Sequence, residues 1–282
     1  MEEKHLRTTV LLEALPYIRK FYGQTMVIKC GGKLLDNEGL KENFAQDIVL
    51  LKFVGIKPVV IHGGGPQVTQ LIERLGKKAE FEGGLRKTDK ETLDIAEMVL
   101  GKINKDLVNL LHRLGGKAVG LSGKDGHMIK AKMIPGELGL VGEIEKVDTG
   151  LLEILEREGF IPVISPLGVN EDGQTLNINA DEVAGKIAAS IKALKLIYLT
   201  DIPGILADPS NPSTLISTLS CQDAEKLLEE GKVKGGMIPK VKASLGALKE
   251  GVEKVHIING LLPHSLLLEI FTDEGIGTEI VC

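Results

Sequence analysis

Two hydrophobic rhythms take turns along this chain. Short, mainly apolar runs of strand length lie at residues 26–29, 57–61, 117–121, 160–164, 196–199 and 254–258. Between them, apolar residues recur at three- and four-residue spacing. That spacing predicts helices over 40–54, 151–158, 181–193, 222–230 and 240–249. A further helix is predicted after Pro66, expected at its first position, with Val68, Leu71, Ile72 and Leu75 on one face before Gly76. Thr88-Asp89-Lys90-Glu91 has the form of a capping box opening another long helix. Residues 122–148 break the rhythm: Gly123-Lys124-Asp125-Gly126 reads as a turn flanked by short antiparallel strands, and Asp172-Gly173 as a second turn.

Strands without a polar face are buried on both sides, as in parallel sheets covered by helices. The predicted fold class is therefore α/β, a three-layer αβα sandwich with a mainly parallel central sheet. No internal repeat, low-complexity tract or flexible linker divides the chain. A division near residue 175 is expected to be functional, with one sheet shared across it. Before the first strand, Leu6, Val10, Leu11, Ala14 and Ile18 make a helical stripe over residues 6–20, with Pro16 as an expected kink. That segment is either packed on its own subunit or an arm that binds a partner.

Composition narrows the function. The 282 residues are 43% hydrophobic, enough for a substantial core. There is no Trp and only 3% aromatic residues, which argues against a base-stacking nucleic-acid surface. The net charge of −5 provides no global attraction for nucleic acid or membrane, so an anion site must be local. Cys30, Cys221 and Cys282 are scattered and odd in number, which argues against a disulfide framework or a zinc site and for a reducing cytoplasm. The charged start, Met1-Glu2-Glu3-Lys4-His5, and the lack of an 18-residue apolar run predict a soluble protein without a signal peptide.

The candidate chemistry lies in glycine turns that follow the strands. Lys29 ends the first strand and Gly31-Gly32 follow it; an ordinary βα turn is the plain alternative. His62-Gly63-Gly64-Gly65-Pro66 is more specific, because three glycines cost backbone entropy and the next helix offers its positive N-terminus. His62 is either a base or a structural imidazole. Lys240 closes Gly235-Gly236-Met237-Ile238-Pro239-Lys240. Arg86, just before the capping box, suits a carboxylate or is a solvated arginine. In Asn177-Ile178-Asn179-Ala180-Asp181, extended backbone would put Asn177 and Asn179 on one side, while Asp181 either orients two lysines or caps a helix. Thr200-Asp201-Ile202-Pro203-Gly204 ends a strand in a polar turn fit for a nucleotide. No P-loop and no well-formed Gly-x-Gly-x-x-Gly unit occurs. Glycine N–H groups with two lysines suggest a kinase that is not of the P-loop type.

Taken in order, Lys29-Cys30-Gly31-Gly32-Lys33, His62 to Pro66, Gly84-Leu85-Arg86, Asn177 to Asp181, Leu199 to Ile205 and Gly235 to Lys240 resemble the amino acid kinase superfamily over nearly the whole length. Within it the chain is similar to the branch that phosphorylates N-acetylglutamate. The resemblance implies transfer from ATP, carrying Mg²⁺, to the γ-carboxylate of N-acetyl-L-glutamate. It implies an amino-acid lobe (21–175), an ATP lobe (176–282) and an oligomerisation helix (1–20). Lys29 and Lys240 would stabilise the transferring phosphoryl group, with Asp181 holding both. Gly31, Gly32 and Gly64 would offer N–H groups. Gly64, Gly65, Arg86, Asn177 and Asn179 would hold the amino acid. Thr200, Asp201, Gly204 and Gly236 would serve the nucleotide. With no dense carboxylate cluster in the sequence, the metal would ride on ATP rather than in a protein cage. The chain also resembles arginine-inhibited members, which form hexamers through the extra helix; Tyr17, His256, Glu269 and Gly275 fall on the matching inhibitor positions.

Overall fold

The structure is a computed structural model and describes residues 2–208 and 211–282. Helix α1 (Glu2–Phe21), with Pro16 inside it, leads into β1 (Thr25–Cys30). Two helices follow, α2 (Gly32–Asp36) and α3 (Glu38–Phe53), the second capped by the Asn37 side chain accepting from the Leu40 N–H. Next come β2 (Lys57–His62), α4 (Gly65–Arg74), a small hairpin of β3 (Phe81–Glu82) and β4 (Leu85–Arg86), α5 (Lys90–Arg113) and β5 (Ala118–Ser122). The middle of the chain supplies β6 (Ile129–Met133), β7 (Val141–Val147), α6 (Gly150–Arg157), β8 (Ile161–Ser165), β9 (Leu167–Val169) and β10 (Thr175–Ile178). The remainder is α7 (Ala180–Ser190), β11 (Lys195–Thr200), β12 (Thr218–Ser220), α8 (Cys221–Glu229), α9 (Met237–Lys249), β13 (Lys254–Asn259), α10 (Ser265–Phe271) and β14 (Thr278–Val281).

Eight strands form one sheet in the order β12-β14-β13-β11-β1-β2-β8-β5. Neighbours run parallel except β13 with β14. Helices cover both faces, and strand alternation sends successive side chains to opposite cores. Val27 joins a core with Val183, Ile187 and Val241 on the α7 and α9 side, while Met26 and Ile28 join Phe44, Ile48 and Leu111 on the α3 and α5 side. The three-layer architecture predicted from the apolar runs is thus observed. Four further strands, β6, β7, β9 and β10, close on one another above the sheet, and β6 pairs antiparallel with β7 as their sequence suggests. Among the described residues, no helix is long and apolar enough to cross a membrane.

Several local expectations are corrected. Helix α5 is capped by Asp89, which accepts from the Thr92 N–H, and not by Thr88. Thr88 is held in a bridge with Gly139 and donates its hydroxyl to the Arg86 carbonyl, so it is unavailable as a cap. Pro66 is the second residue of α4, after Gly65. The expectation against a disulfide is also overturned: Cys221 and Cys282 form one, their Cα atoms 5.0 Å apart. The reason is register. Parallel pairing of β12 with β14 sets Ser220 opposite Val281, which brings the next residue of each strand together. Cys30 stays free and buried, and burial pushes its thiol up to about 12.

Candidate active site

Lys29 leaves the carboxyl end of β1, the edge at which open parallel sheets hold their ligands. Its Nζ lies 2.8 Å from Oδ1 of Asp181, and Nζ of Lys240 lies 2.8 Å from Oδ2 of the same carboxylate. Asp181 occupies the first turn of α7, and Lys240 the first turn of α9. These two helices pack side by side through small residues; a Cβ at Gly185 would stand 3.1 Å from the Ala243 carbonyl oxygen. Asp181 is 4% exposed. Burial alone would push its carboxyl up, but the Lys29 and Lys240 ammonium groups outweigh that and hold it below the ordinary range.

The cap of α7 is Asn179, whose side-chain oxygen accepts from the N–H groups of Asp181 and Glu182. Asp181 is therefore free of the capping role that its position also allowed. The side chain of Asn179 is correspondingly engaged with backbone, although the residue lines the cavity beside Lys29.

That cavity, of about 280 Å³, is walled by Lys29, Gly32, Gly63, Gly64, Gly65, Arg86, Asn177 and Asp181. The two glycine turns touch: the Gly63 N–H donates to the Cys30 carbonyl at 2.9 Å, and a Cβ on Gly32 would stand 2.6 Å from the Pro66 ring. Among the described residues, the Arg86 guanidinium is held through Nη2, which donates to the Gly65 carbonyl and to Thr69 Oγ1, both at 2.8 Å. The Phe81 ring centroid lies 4.7 Å from its central carbon. Among the described residues, Nη1 is buried without a hydrogen-bond partner. A buried, half-satisfied guanidinium in a cavity wall suits a carboxylate ligand. Asn177 lines the same cavity and donates to Thr88 Oγ1 at 3.2 Å.

His62 is fully buried, and burial pushes its imidazole down to about 4, so it is neutral and serves no base role at the cavity. Thr200, Asp201, Gly204 and Gly236 do not line the Lys29 cavity. The Thr200 hydroxyl donates to the Ile202 carbonyl and accepts from the Ile202 N–H, shaping its own turn. Asp201 pairs with Lys33 of the first glycine turn, which links the two loops. A Cβ on Gly204 would stand 2.6 Å from Thr278 Oγ1, so this glycine packs against β14. Gly31 follows β1, with the Leu199 carbonyl 3.4 Å from where its Cβ would be. Gly236 caps α9, and its carbonyl lies 3.4 Å from Lys240 Nζ.

Tyr17, His256, Glu269 and Gly275 come together elsewhere, around a cavity of about 270 Å³ between α1 and the C-terminal part of the chain. His256 Nδ1 is 2.5 Å from Glu269 Oε1, and Oε2 accepts from the Ile276 N–H at 2.8 Å. Burial would raise the Glu269 carboxyl, but His256 and that N–H hold it below its ordinary value. Lys195 also lines the cavity, with its ammonium 5.0 Å from the Phe21 ring centroid; burial lowers it. Neither Lys195 nor Phe81 is marked out by any sequence motif, since each role depends on strand pairing.

Comparison with known proteins gives the family. Residues 24–259 match the model of the amino acid kinase family. An acetylglutamate kinase from Methanocaldococcus jannaschii is 55% identical over 287 residues, covering 97% of this chain and 96% of its own. A solved N-acetylglutamate synthase from Neisseria gonorrhoeae, complexed with coenzyme A and N-acetyl-glutamate, has a TM-score of 0.87 at 34% identity over 98% of this chain. The chain spans only 63% of that synthase. The same synthase complexed with coenzyme A and L-arginine gives 0.84 at 31% identity, over 97% of this chain and 65% of its own. Family match, near-complete coverage and fold lead to one assignment: the chain belongs to the amino acid kinase family and, within it, to the acetylglutamate kinases.

Proposed function

We propose that this chain transfers the γ-phosphoryl group of ATP to the γ-carboxylate of N-acetyl-L-glutamate, forming N-acetyl-L-glutamyl 5-phosphate in arginine biosynthesis. The observation that carries the reading is the Asp181 carboxylate gripping Lys29 and Lys240 at 2.8 Å each, at the edge of a cavity walled by glycines and Arg86. The acceptor carboxylate is already ionised at neutral pH, so no general base is needed. What must be overcome is the approach of an anion to a polyanion. Two ammonium groups and the N–H groups of Gly31, Gly32 and Gly64 offset that repulsion and stabilise charge on the moving phosphoryl group. Arg86, with Asn177, Asn179, Gly64 and Gly65, holds and orients the amino acid. Thr200, Asp201, Gly204 and Gly236 hold the nucleotide at the far side of the lysine pair. Residues 21–175 act as the amino-acid lobe and 176–282 as the ATP lobe.

Among the described residues, no three His, Cys, Asp or Glu side chains converge as a metal site. Mg²⁺ would ride on the ATP phosphates, where it would supply charge neutralisation. Hydroxylamine trapping of the acyl phosphate, with N-acetylglutamate, glutamate, aspartate and carbamate as acceptors, tests the reading. A hydroxamate signal from N-acetylglutamate alone is expected. A signal only from unacetylated glutamate or aspartate would reject the substrate.

The second cavity is the place for L-arginine as feedback inhibitor, with Glu269 facing the guanidinium and Tyr17, His256 and Gly275 around it. Helix α1 exposes Leu12 and Leu15, suited to joining dimers into a cytoplasmic hexamer. Turnover unchanged by millimolar arginine across neutral pH would remove the inhibitor assignment.

A further inference from the structure

His62 does not line the active cavity, yet its neighbour Gly63 does. The Nδ1 atom lies 3.0 Å from the Gly63 carbonyl oxygen, and Nε2 lies 3.1 Å from Nδ2 of Asn104. Asn104, buried on the inner face of α5, also turns Nδ2 toward the carbonyls of Val163 at 2.9 Å and Leu121 at 3.3 Å. Carbonyl oxygens only accept, so this end of the amide is the NH₂ group, and it donates to Nε2. Nε2 is then bare, and the single ring proton sits on Nδ1, donated to the Gly63 carbonyl.

That bond fixes a peptide plane. The chain contains no cis peptide bond among the described residues, and in a trans peptide the carbonyl and the following N–H point in opposite directions. With the Gly63 carbonyl turned down to the buried ring, the Gly64 N–H is turned up to the cavity that both glycines line. Three consecutive glycines restrain their own peptide planes poorly, so the orientation must come from outside the turn. Gly120 protects the arrangement, because a Cβ there would stand 1.9 Å from Asn104 Oδ1.

We propose that His62 and Asn104 are positioning residues that lock the Gly63–Gly64 peptide with its N–H aimed at the transferring phosphoryl group. The proposal deepens the kinase reading above and rests on it. Neither side chain touches substrate; both act through one peptide group. Asn104 sets the tautomer, and His62 transmits it to the backbone.

Two substitutions separate the ring nitrogens. In His62→Asn, the amide nitrogen overlays Nδ1 and still donates to the Gly63 carbonyl. In His62→Gln, the amide reaches the Nε2 position and leaves that carbonyl unpaired. His62→Asn should retain kcat within about threefold, whereas His62→Gln should lose about 10–100-fold in kcat with little change in KM, the scale of a misdirected preorganised donor. Nitrogen-15 NMR of the full-length wild-type enzyme should show His62 protonated at Nδ1 and bare at Nε2. Equal kcat losses in the two variants, tracking their melting temperatures, would overturn the proposal, as would a ring protonated at Nε2. If the wild type forms no hydroxamate from N-acetylglutamate, the substrate assignment fails separately. The NMR result and the ratio of the two variants, measured on whichever acceptor is turned over, still decide the pair.

Discussion

Nζ of Lys240 stands 2.8 Å from Oδ2 of Asp181, and the other oxygen of that carboxylate takes Lys29 at the same distance. In Asp181→Asn the shape persists and the charge is lost, leaving two ammonium groups to repel each other in a largely buried site. Steady-state kinetics should show a kcat loss on the order of 10²–10³-fold, comparable to Lys29→Ala or Lys240→Ala. The double variant Lys29→Ala/Asp181→Asn should lose much less than the product of the single losses, because the residues act as one unit. Fully multiplicative losses would show that Asp181 does not work through the lysines. The Asp181 carboxyl is depressed in the fold, so its stabilisation is present above the ordinary carboxylate pKa of about 4 and is lost as pH falls through the lower folded value.

The Asp47 carboxyl behaves in the opposite way. Burial raises it to about 6, against the opposing hydrogen bond from His264 at 2.6 Å. A raised acid binds its proton more tightly in the fold, so the penalty for ionising it is absent below about pH 4 and complete above about pH 6. Asp47→Asn keeps an acceptor for His264 and removes that penalty. Chemical denaturation should find the variant more stable than wild type by about 1–3 kcal/mol at pH 7.5, with no difference at pH 4. A destabilised variant at pH 7.5 would show that the ion pair outweighs the burial cost.

Arg86 lines the cavity, its buried Nη1 has no hydrogen-bond partner among the described residues, and Phe81 flanks the guanidinium. Arg86→Lys retains the charge but loses the planar fork. KM for N-acetylglutamate should rise about 10–100-fold, the scale of a lost charged hydrogen bond, while KM for ATP stays near the wild-type value. A rise confined to ATP would move Arg86 to the nucleotide side.

The Cys221–Cys282 bond closes a loop with a sequence separation of 61. Chain entropy puts its stabilisation at up to about 4 kcal/mol, through restriction of the unfolded state. Cys282→Ser, or reduction of the wild type, should lower the melting temperature while leaving kcat unchanged, since neither cysteine lines the active cavity. Identical melting curves with and without reductant would show that the bond is not formed in solution.

Much of this architecture is legible in the sequence because the central strands are buried on both faces and leave mainly apolar runs. Strands β9, β10, β12 and β14 are three or four residues long and leave none. Helix α10 has seven residues and begins after His264 in a left-handed conformation, which no apolar spacing announces. In the site, Lys29, Lys240 and Asp181 are marked by motifs and stand in contact. The choice of cap between Asn179 and Asp181 is not legible, since both residue types cap helices and they lie two positions apart. The disulfide is hidden for a different reason: it follows from pairing between β12 and β14, which cysteine spacing cannot express.

The sheet order has one more consequence. Strands β1, β2, β8 and β5 come from residues before 175, strands β11 to β14 from residues after it, and the seam is the ladder that sets Met26 to Cys30 against Lys195 to Leu199. Splitting the polypeptide there would strip a hydrogen-bonded neighbour from two of its most deeply buried strands and leave each half with a raw, sticky margin. The two parts are therefore not independently foldable modules on a tether. Any rocking between them would have to twist this continuous hydrogen-bonded ladder rather than swing about a tether.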